Sequence, residues 1–204
     1  MPNHPYTSIK LDKEGGIWVI DRATPGSYTG GSCGSGCAQQ CTNSNNNTQT
    51  ITTGGYFHNN PAYWNGNVYV AGSTHDGPLL PMTQYILCPS SNPVLCTSPF
   101  EIISTTQFTY GATPSVSSDT NNNNGVVWAI NSDGSAQGGN PAILYALLAD
   151  GLVELYDSNQ CGTADQPGPA TKYSVPTIAN GYVFIGTQTD FDIYGVLPSS
   201  RQCQ

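Results

Sequence analysis

The sequence predicts an all-β fold built from repeated antiparallel sheets, and two observations carry this prediction. A motif recurs around Pro61, Pro114 and Pro176, in which a turn with Asn and Gly and then a short apolar strand follow the proline. The prolines are 53 and 62 residues apart, and such self-similarity is typical of β-propeller blades with long loops. The 23 Gly, 15 Pro and only 9% charged residues supply the turns that many short strands need. We therefore expect four-stranded antiparallel propeller blades.

The first element in chain order is a hairpin over residues 8–22, the inner hairpin of a blade. Its two strands flank a Lys-Glu-Gly-Gly turn, and the two-residue alternation places Trp18 and Ile20 on one face and Ile17 and Val19 on the other. We expect this blade to be incomplete, because it lacks a strand before the hairpin.

The remaining elements follow from the same alternation and from turn residues. Residues 23–55 are predicted to be a long polar loop that contains cysteines and has room for one strand at its end. Residues 56–110 and 111–173 each read as a four-stranded blade, residues 174–197 as an incomplete blade, and 198–204 as a tail. A single domain with roughly two complete and two incomplete blades forms only part of a ring. Missing blades or a second copy of the chain would complete it.

Composition limits the partners. The formal net charge is −8 with only five Lys plus Arg, and without a basic cluster to neutralise phosphates, nucleic acid is not an expected partner. No apolar run reaches the roughly 18 residues needed to span a bilayer. Seven cysteines are many for a cytosolic chain, and this number predicts an oxidising compartment, extracellular or periplasmic.

The cysteines lie mostly in loops. Cys88 and Cys96 flank a turn-rich insert and are the candidate pair for a local disulfide. Cys33, Cys37 and Cys41 are four residues apart, in a Gly-rich segment that favours disulfides over a helical metal site, although a metal or inert thiols remain alternatives. The odd number leaves at least one thiol free or paired between chains.

Three further motifs favour structural over catalytic interpretations. "GGSCG" around Ser32 matches the sequence pattern of a nucleophile elbow, but the sequence predicts no helix after it, which that elbow requires. His75 and Asp76 could form a base and its orienting carboxylate, but Asp-Gly also signals a hairpin turn. The "DTNNNNG" segment at 119–125 lacks the Gly and Glu of a calcium loop and reads as a solvated connection. The catalytic residues are therefore unknown.

Aromatic residues recur at blade positions and are expected to pack between sheets, although an exposed pair at the mouth of a ring could stack a sugar. They are Tyr63, Trp64, Tyr69, Trp128, Tyr145, Tyr156, Tyr173, Tyr182 and Phe184.

Residues 54–197 resemble the C-terminal blades of quinoprotein-type β-propellers, the pyrroloquinoline-quinone-like (PQQ-like) repeat proteins common among secreted soil-bacterial proteins. The matching stretches are "NPAYWNGNVYVAG", "GATPSVSSDTNNNNGVVWAI", "VELYDSNQ" and "KYSVPTIANGYVFIGTQTDFDIYGVL", and "GGIWVIDRATPG" is similar to the inner hairpin of a preceding blade. The resemblance implies the fold; function does not follow from it, because many functions share such a scaffold.

The resemblance also implies chemistry that can be compared with this chain. Quinoprotein dehydrogenases of this fold use a vicinal disulfide, a Ca²⁺ ion and an Asp base beside the quinone. This sequence has no adjacent Cys pair, and Glu101, Asp119, Glu154 and Asp192 match no motif of that family. No catalytic residue is therefore transferred and no cofactor is predicted, with PQQ and calcium kept as alternatives.

Three function classes remain. The favoured one is a non-catalytic secreted propeller that acts as a binding or assembly scaffold and takes a protein or glycan ligand through its loops. The alternatives are part of a quinone- or Ca²⁺-dependent dehydrogenase, which would be an oxidoreductase, and a carbohydrate-binding module.

Overall fold

A computed structural model describes residues 6–23, 47–74, 80–88 and 94–196 of the chain. The regular secondary structure of these residues is β-strand, apart from one short 3-10 helix over Asp133–Gln137. None of their helices is long and apolar enough to cross a membrane. The strands are β1 Thr7–Leu11, β2 Gly16–Asp21, β3 Asn47–Thr52, β4 Ala62–Trp64, β5 Asn67–Ala71, β6 Leu80–Leu87, β7 Leu95–Phe108, β8 Ser115–Ser117, β9 Val126–Asn131, β10 Ile143–Leu148, β11 Glu154–Asp157, β12 Thr177–Ala179, β13 Tyr182–Gly186 and β14 Phe191–Gly195.

The strands form four antiparallel sheets, and in each sheet neighbouring strands are consecutive in the chain. The first sheet is β1-β2-β3, the second β4-β5-β6-β7, the third β8-β9-β10-β11 and the fourth β12-β13-β14. Two of the sheets therefore have four strands and two have three. The predicted all-β class with several antiparallel sheets is confirmed.

The four sheets pack face to face in chain order, because each middle strand alternates between two cores. On β5, Val68 and Val70 pack against the first sheet, whereas Tyr69 and Ala71 pack against the third. We call the side of a sheet that looks toward the next sheet in the chain its forward face, and the opposite side its rear face. The alternation of apolar residues along one strand thus serves two interfaces at once.

The third sheet repeats this arrangement. Val127 and Ala129 of β9 belong to the core shared with the second sheet, and Ile130 belongs to the core shared with the fourth. Val183 and Ile185 of β13 complete that last core. In the first sheet, Ile17 and Val19 are buried against the second sheet, whereas Trp18 and Ile20 lie on the opposite face, as predicted. Burial between sheets, about 25 cal/mol per Å² of apolar surface, is the main stabilising contribution here.

Polar side chains link neighbouring sheets at defined points. Gln49 of β3 makes two hydrogen bonds of 2.7 Å to the backbone of Leu95 in the second sheet. The hydroxyl of Tyr69 donates to the carbonyl of Ala149 in the third sheet at 2.8 Å. Ser115 of β8 donates to the carbonyl of Pro176, just before β12, at 2.6 Å. The first strands β4, β8 and β12 consequently lie side by side.

Candidate functional site

A cleft opens along one edge of the stacked sheets, where the chain enters the first strands of the second, third and fourth sheets. Its lining is drawn from positions that the repeat makes equivalent, namely the residues two and three places before each recurrent proline. These residues are His58 and Asn59, Gly111 and Ala112, and Tyr173 and Ser174; Tyr110, Thr113, Ile130 and Ser132 complete the lining.

Asn59 is held rigidly at the base of this cleft. Its Nδ2 donates to the carbonyl of Ala71 at 2.5 Å and to that of Ala112 at 2.7 Å, so both amide hydrogens are used and the amide cannot turn over. Its Oδ1 is buried and has no hydrogen-bond partner. A buried acceptor without a partner costs about 1 to 3 kcal/mol, so a water or a ligand donor would stabilise this site.

Ser174 occupies the equivalent position in the fourth sheet and makes the equivalent bond. Its Oγ donates to the carbonyl of Gly186 at 2.6 Å, as Asn59 donates to Ala71, and both carbonyls lie at the end of a second strand. Ala112 has no side-chain donor at this position in the third sheet. Equivalent positions of the repeat therefore form the rim of the cleft, and only the position in the third sheet lacks this side-chain hydrogen bond.

Tyr173 stands at the mouth of the cleft in an unusual backbone conformation. Its φ is +66°, in the left-handed region that bulky residues rarely adopt, and its side chain is 66% exposed. The His58 ring meets it edge-on, with ring centroids 6.3 Å apart. A strained backbone that presents an exposed aromatic ring beside an imidazole is a feature common at binding sites.

A second aromatic residue, Tyr110, also lines the cleft, and its backbone is held in place by Asp133. The Asp133 carboxylate accepts hydrogen bonds from the backbone N–H of Thr109 at 3.1 Å and of Tyr110 at 3.3 Å. The ammonium of Lys172 lies 4.2 Å from the centroid of the Tyr110 ring, a cation–π contact.

The cleft is small and open. Its enclosed volume is about 10 Å³, which is room for little more than one water molecule and far below the roughly 300 to 1,000 Å³ of drug-sized ligand pockets. A larger ligand would therefore lie across the mouth of the cleft. Its chemistry combines aromatic rings with hydroxyl, amide and imidazole groups. Such a surface suits a polar, largely uncharged group that presents one apolar side and several hydroxyls, such as a single sugar unit.

Of the five cysteines predicted to be bonded, two lie among the described residues. Cys88 and Cys96 form the predicted disulfide, with Cα atoms 5.2 Å apart. Cys161 is also disulfide-bonded. Cys33, Cys37 and Cys41 lie outside the described residues, as do Ser32, His75 and Asp76, so their predicted roles stay predictions.

The acidic residues that match no quinoprotein motif have structural partners. Asp119 accepts hydrogen bonds from the backbone N–H groups of Asn121 and Asn123 at 2.9 and 2.8 Å and so closes the predicted solvated turn. Glu154 accepts a hydrogen bond from the Thr106 hydroxyl at 2.8 Å, and the carboxylate of Asp192 accepts one from the Gly168 N–H at 3.3 Å. Among the described residues, no three His, Cys, Asp or Glu side chains come together to hold a metal ion.

The burial of two tyrosines perturbs their ionisation. Tyr85 packs between the first and second sheets, where burial, followed by the nearby Glu101 carboxylate, raises its pKa to about 12. Burial is also the main reason why the pKa of Tyr69, between the second and third sheets, lies well above its ordinary value. Neither ring lines the cleft, so these shifts concern stability rather than the site.

The expectation that the recurrent aromatics pack between sheets is correct for Tyr69 and wrong for three others. Tyr63, Tyr173 and Tyr182 are exposed. Sequence reasoning also missed His58 and Asn59. The signal that could have found them was their position just before a recurrent proline, where the other repeats place Tyr173 and Ser174.

Comparison with known proteins adds no relative: no protein-family model matches the chain, and no curated protein is significantly similar to it.

Proposed function

We propose that this protein is a non-catalytic secreted scaffold, a partial β-propeller that binds a glycan through the cleft at its loop end. The observation that carries the proposal is the convergence of equivalent repeat positions on one cleft, with Tyr173 exposed in a left-handed conformation and the Oδ1 of Asn59 left without a partner. The strained backbone of this exposed aromatic residue is more readily explained by a ligand than by packing, because the ring buries little surface.

Several features support the propeller arrangement of the proposal. The sheets are consecutive meanders, they pack face to face in chain order, and their first strands β4, β8 and β12 lie next to each other. These are the relations between successive propeller blades, in which the first strand is innermost. The Cys88–Cys96 disulfide supports an extracellular or periplasmic location.

A ligand that fits this cleft would use both aspects of its lining. A pyranose ring has an apolar side made of C–H groups, which packs on an aromatic face such as that of Tyr173. Its hydroxyls could exchange hydrogen bonds with His58 and Ser132, which also line the cleft. Because the cleft is shallow, we expect weak binding, with dissociation constants of about 0.1 to 1 mM.

The test is binding of the 204-residue protein to a glycan panel, followed by titration of the best ligand against Tyr173→Ala. We expect this variant to lose at least tenfold in affinity. Tyr6→Ala is the matched control, because Tyr6 is similarly exposed at 61% but lies at the start of the first sheet, and it should bind like the wild type.

Two results would contradict the proposal. One is the absence of binding across the panel; the other is binding that Tyr173→Ala and Tyr6→Ala weaken equally. Dye reduction in the presence of PQQ and Ca²⁺ would instead favour the dehydrogenase alternative, for which the described residues show no supporting cluster.

A further inference from the structure

The forward face of the fourth sheet is apolar, and no other described sheet packs against it. Strand pairing places Thr177, Phe184 and Ile193 side by side across this face, with Phe191 opposite Gly186 and Tyr182 opposite Gly195. Phe191 is 68% and Ile193 57% exposed.

The aromatic rings on this face already pack against one another. Phe184 and Phe191 are stacked, with centroids 5.9 Å apart and planes 21° apart, and Tyr182 lies 6.3 Å from Phe184. The Tyr182 ring also lies over Gly195, since a Cβ there would come within 2.8 Å of it. The face is thus a preformed apolar surface whose rings already pack together.

The repeat shows what such a face does in the other sheets. Counted from the Gly that precedes each second strand, Phe184 is equivalent to Tyr69 and Trp128. Tyr69 is fully buried by the third sheet, and Trp128 is partly buried against the core of the fourth. Phe184 has the same role in the pattern, but no described sheet lies in front of it.

We infer that the protein forms a two-fold symmetric dimer in which the forward faces of two fourth sheets pack against each other. The face carries no charged side chain, so two copies of it can meet without burying a charge. A two-fold contact requires only that a surface complement itself, and an apolar face without charges can do so.

The other free sheet surface of a second copy is a poorer partner. The rear face of the first sheet, on the side away from the second sheet, carries Lys10 beside Trp18 and Ser8 beside Ile20, with Thr50 on the other flank of Trp18. Packing that face on Phe184 and Ile193 would place the Lys10 ammonium over an apolar surface. A head-to-tail contact is therefore disfavoured.

The dimer should be weak. A three-stranded face is smaller than the roughly 800 Å² per partner of a standard stable interface, and residues 150–196 contain six Asp or Glu but one Lys, so two such ends repel each other. We expect a dissociation constant of about 10 to 100 µM, and tighter association at high salt because screening removes the repulsion.

Light scattering on a sizing column, from about 10 µM to about 1 mM of protein with free thiols alkylated, measures this directly. The expected result is a concentration-dependent rise toward about 43 kDa, twice the 21.5 kDa of one chain. Alkylation excludes dimers made by the odd cysteine. Ile193→Lys should raise the dissociation constant at least tenfold, because the exposed side chain tolerates the change in the monomer.

Lys10→Glu is the matched control on the opposite free face and should leave the dimer unchanged. A monomer throughout the concentration range, a dimer indifferent to Ile193→Lys, a dimer weakened by Lys10→Glu as in a closed head-to-tail ring, or masses that grow beyond the dimer as in open head-to-tail chains would each overturn the inference. A dimer that dissociates at high salt would likewise contradict the inference, since this would indicate that the acidic end of one copy pairs with Lys10 of the other.

Discussion

Among the described residues, the first and fourth sheets both end the stack, but their free faces differ in chemistry. The rear face of the first sheet carries Ser8 and Lys10 beside Ile20 and Trp18, and the indole N–H of Trp18 donates to the Asp12 carboxylate. The forward face of the fourth sheet carries Phe184, Phe191 and Ile193 without a charge. Stacked repeats usually end in a polar outer surface, so the first sheet has the chemistry of a solvated end and the fourth that of an interface.

The largest test of this comparison separates the two faces of the fourth sheet. Ile185, 1% exposed, lies in the core shared with the third sheet, whereas Ile193 lies one strand away on the free face. Ile185→Ala should lower the free energy of unfolding by about 2 to 5 kcal/mol. Ile193→Ala should lower it by less than about 0.5 kcal/mol in dilute monomer.

Urea melts of both variants at low micromolar concentration provide the measurement. Equal losses in the two variants would mean that the free face is as well covered as the core, and the comparison between the two ends of the stack would fail.

A smaller effect tests whether the interiors between sheets are as dry as their composition implies. Tyr85 is buried between the first two sheets with a pKa raised to about 12, against about 10 in the unfolded chain. The folded state therefore keeps its proton where the unfolded state loses it, so stability is complete below pH 10 and falls as the pH rises toward 12. By pH 11 the loss should be about 1.4 kcal/mol.

The comparison variant is Tyr85→Phe, in which this part of the alkaline loss should vanish, while Tyr6→Phe, at an exposed site, should behave like the wild type. Urea melts at pH 8.5 and pH 11, with thiols alkylated, give the difference. A Tyr85→Phe variant with the same alkaline loss as the wild type would place that tyrosine in contact with water.

The sequence allowed the strands and the faces of the sheets to be predicted, because both depend on local alternation. Val68 and Val70 alternate with Tyr69, and this alone assigns two interfaces to β5. The fate of an aromatic could not be predicted in the same way. Tyr69 and Phe184 occupy the same place in the repeat, and only the presence of a following sheet decides which of them is buried.

The cleft could be predicted only in part. The recurrent prolines mark His58, Asn59 and Tyr173 as repeat positions, but these residues lie in connections without the two-residue alternation of a strand, and they meet because neighbouring sheets bring equivalent turns together. The unpaired Oδ1 of Asn59 depends on two carbonyls from residues 71 and 112, the latter 53 positions away. Such a contact is a property of the packing between repeats, not of any one of them.

The smallest predicted effect is a gain in stability, whereas the preceding predictions are losses. Tyr173 holds φ at +66°, which costs a non-glycine residue roughly 1 to 2 kcal/mol, part of which glycine recovers. Tyr173→Gly should therefore raise the free energy of unfolding by up to about 1 kcal/mol while it abolishes glycan binding. Asn180→Gly is the matched control, because Asn180 has φ of 52° but Asn tolerates this region, so its stability should hardly change.

Urea melts and the glycan titration, run on the same samples, decide the outcome. If Tyr173→Gly destabilised the protein, the exposed ring would be making contacts that matter for folding, and its strain would need no ligand to explain it. Stabilisation together with lost binding would instead mean that the chain keeps a destabilising backbone conformation at the mouth of the cleft because the ligand needs it. The first sheet around Lys10 differs in this respect, since no residue among 6–11 has a left-handed backbone conformation.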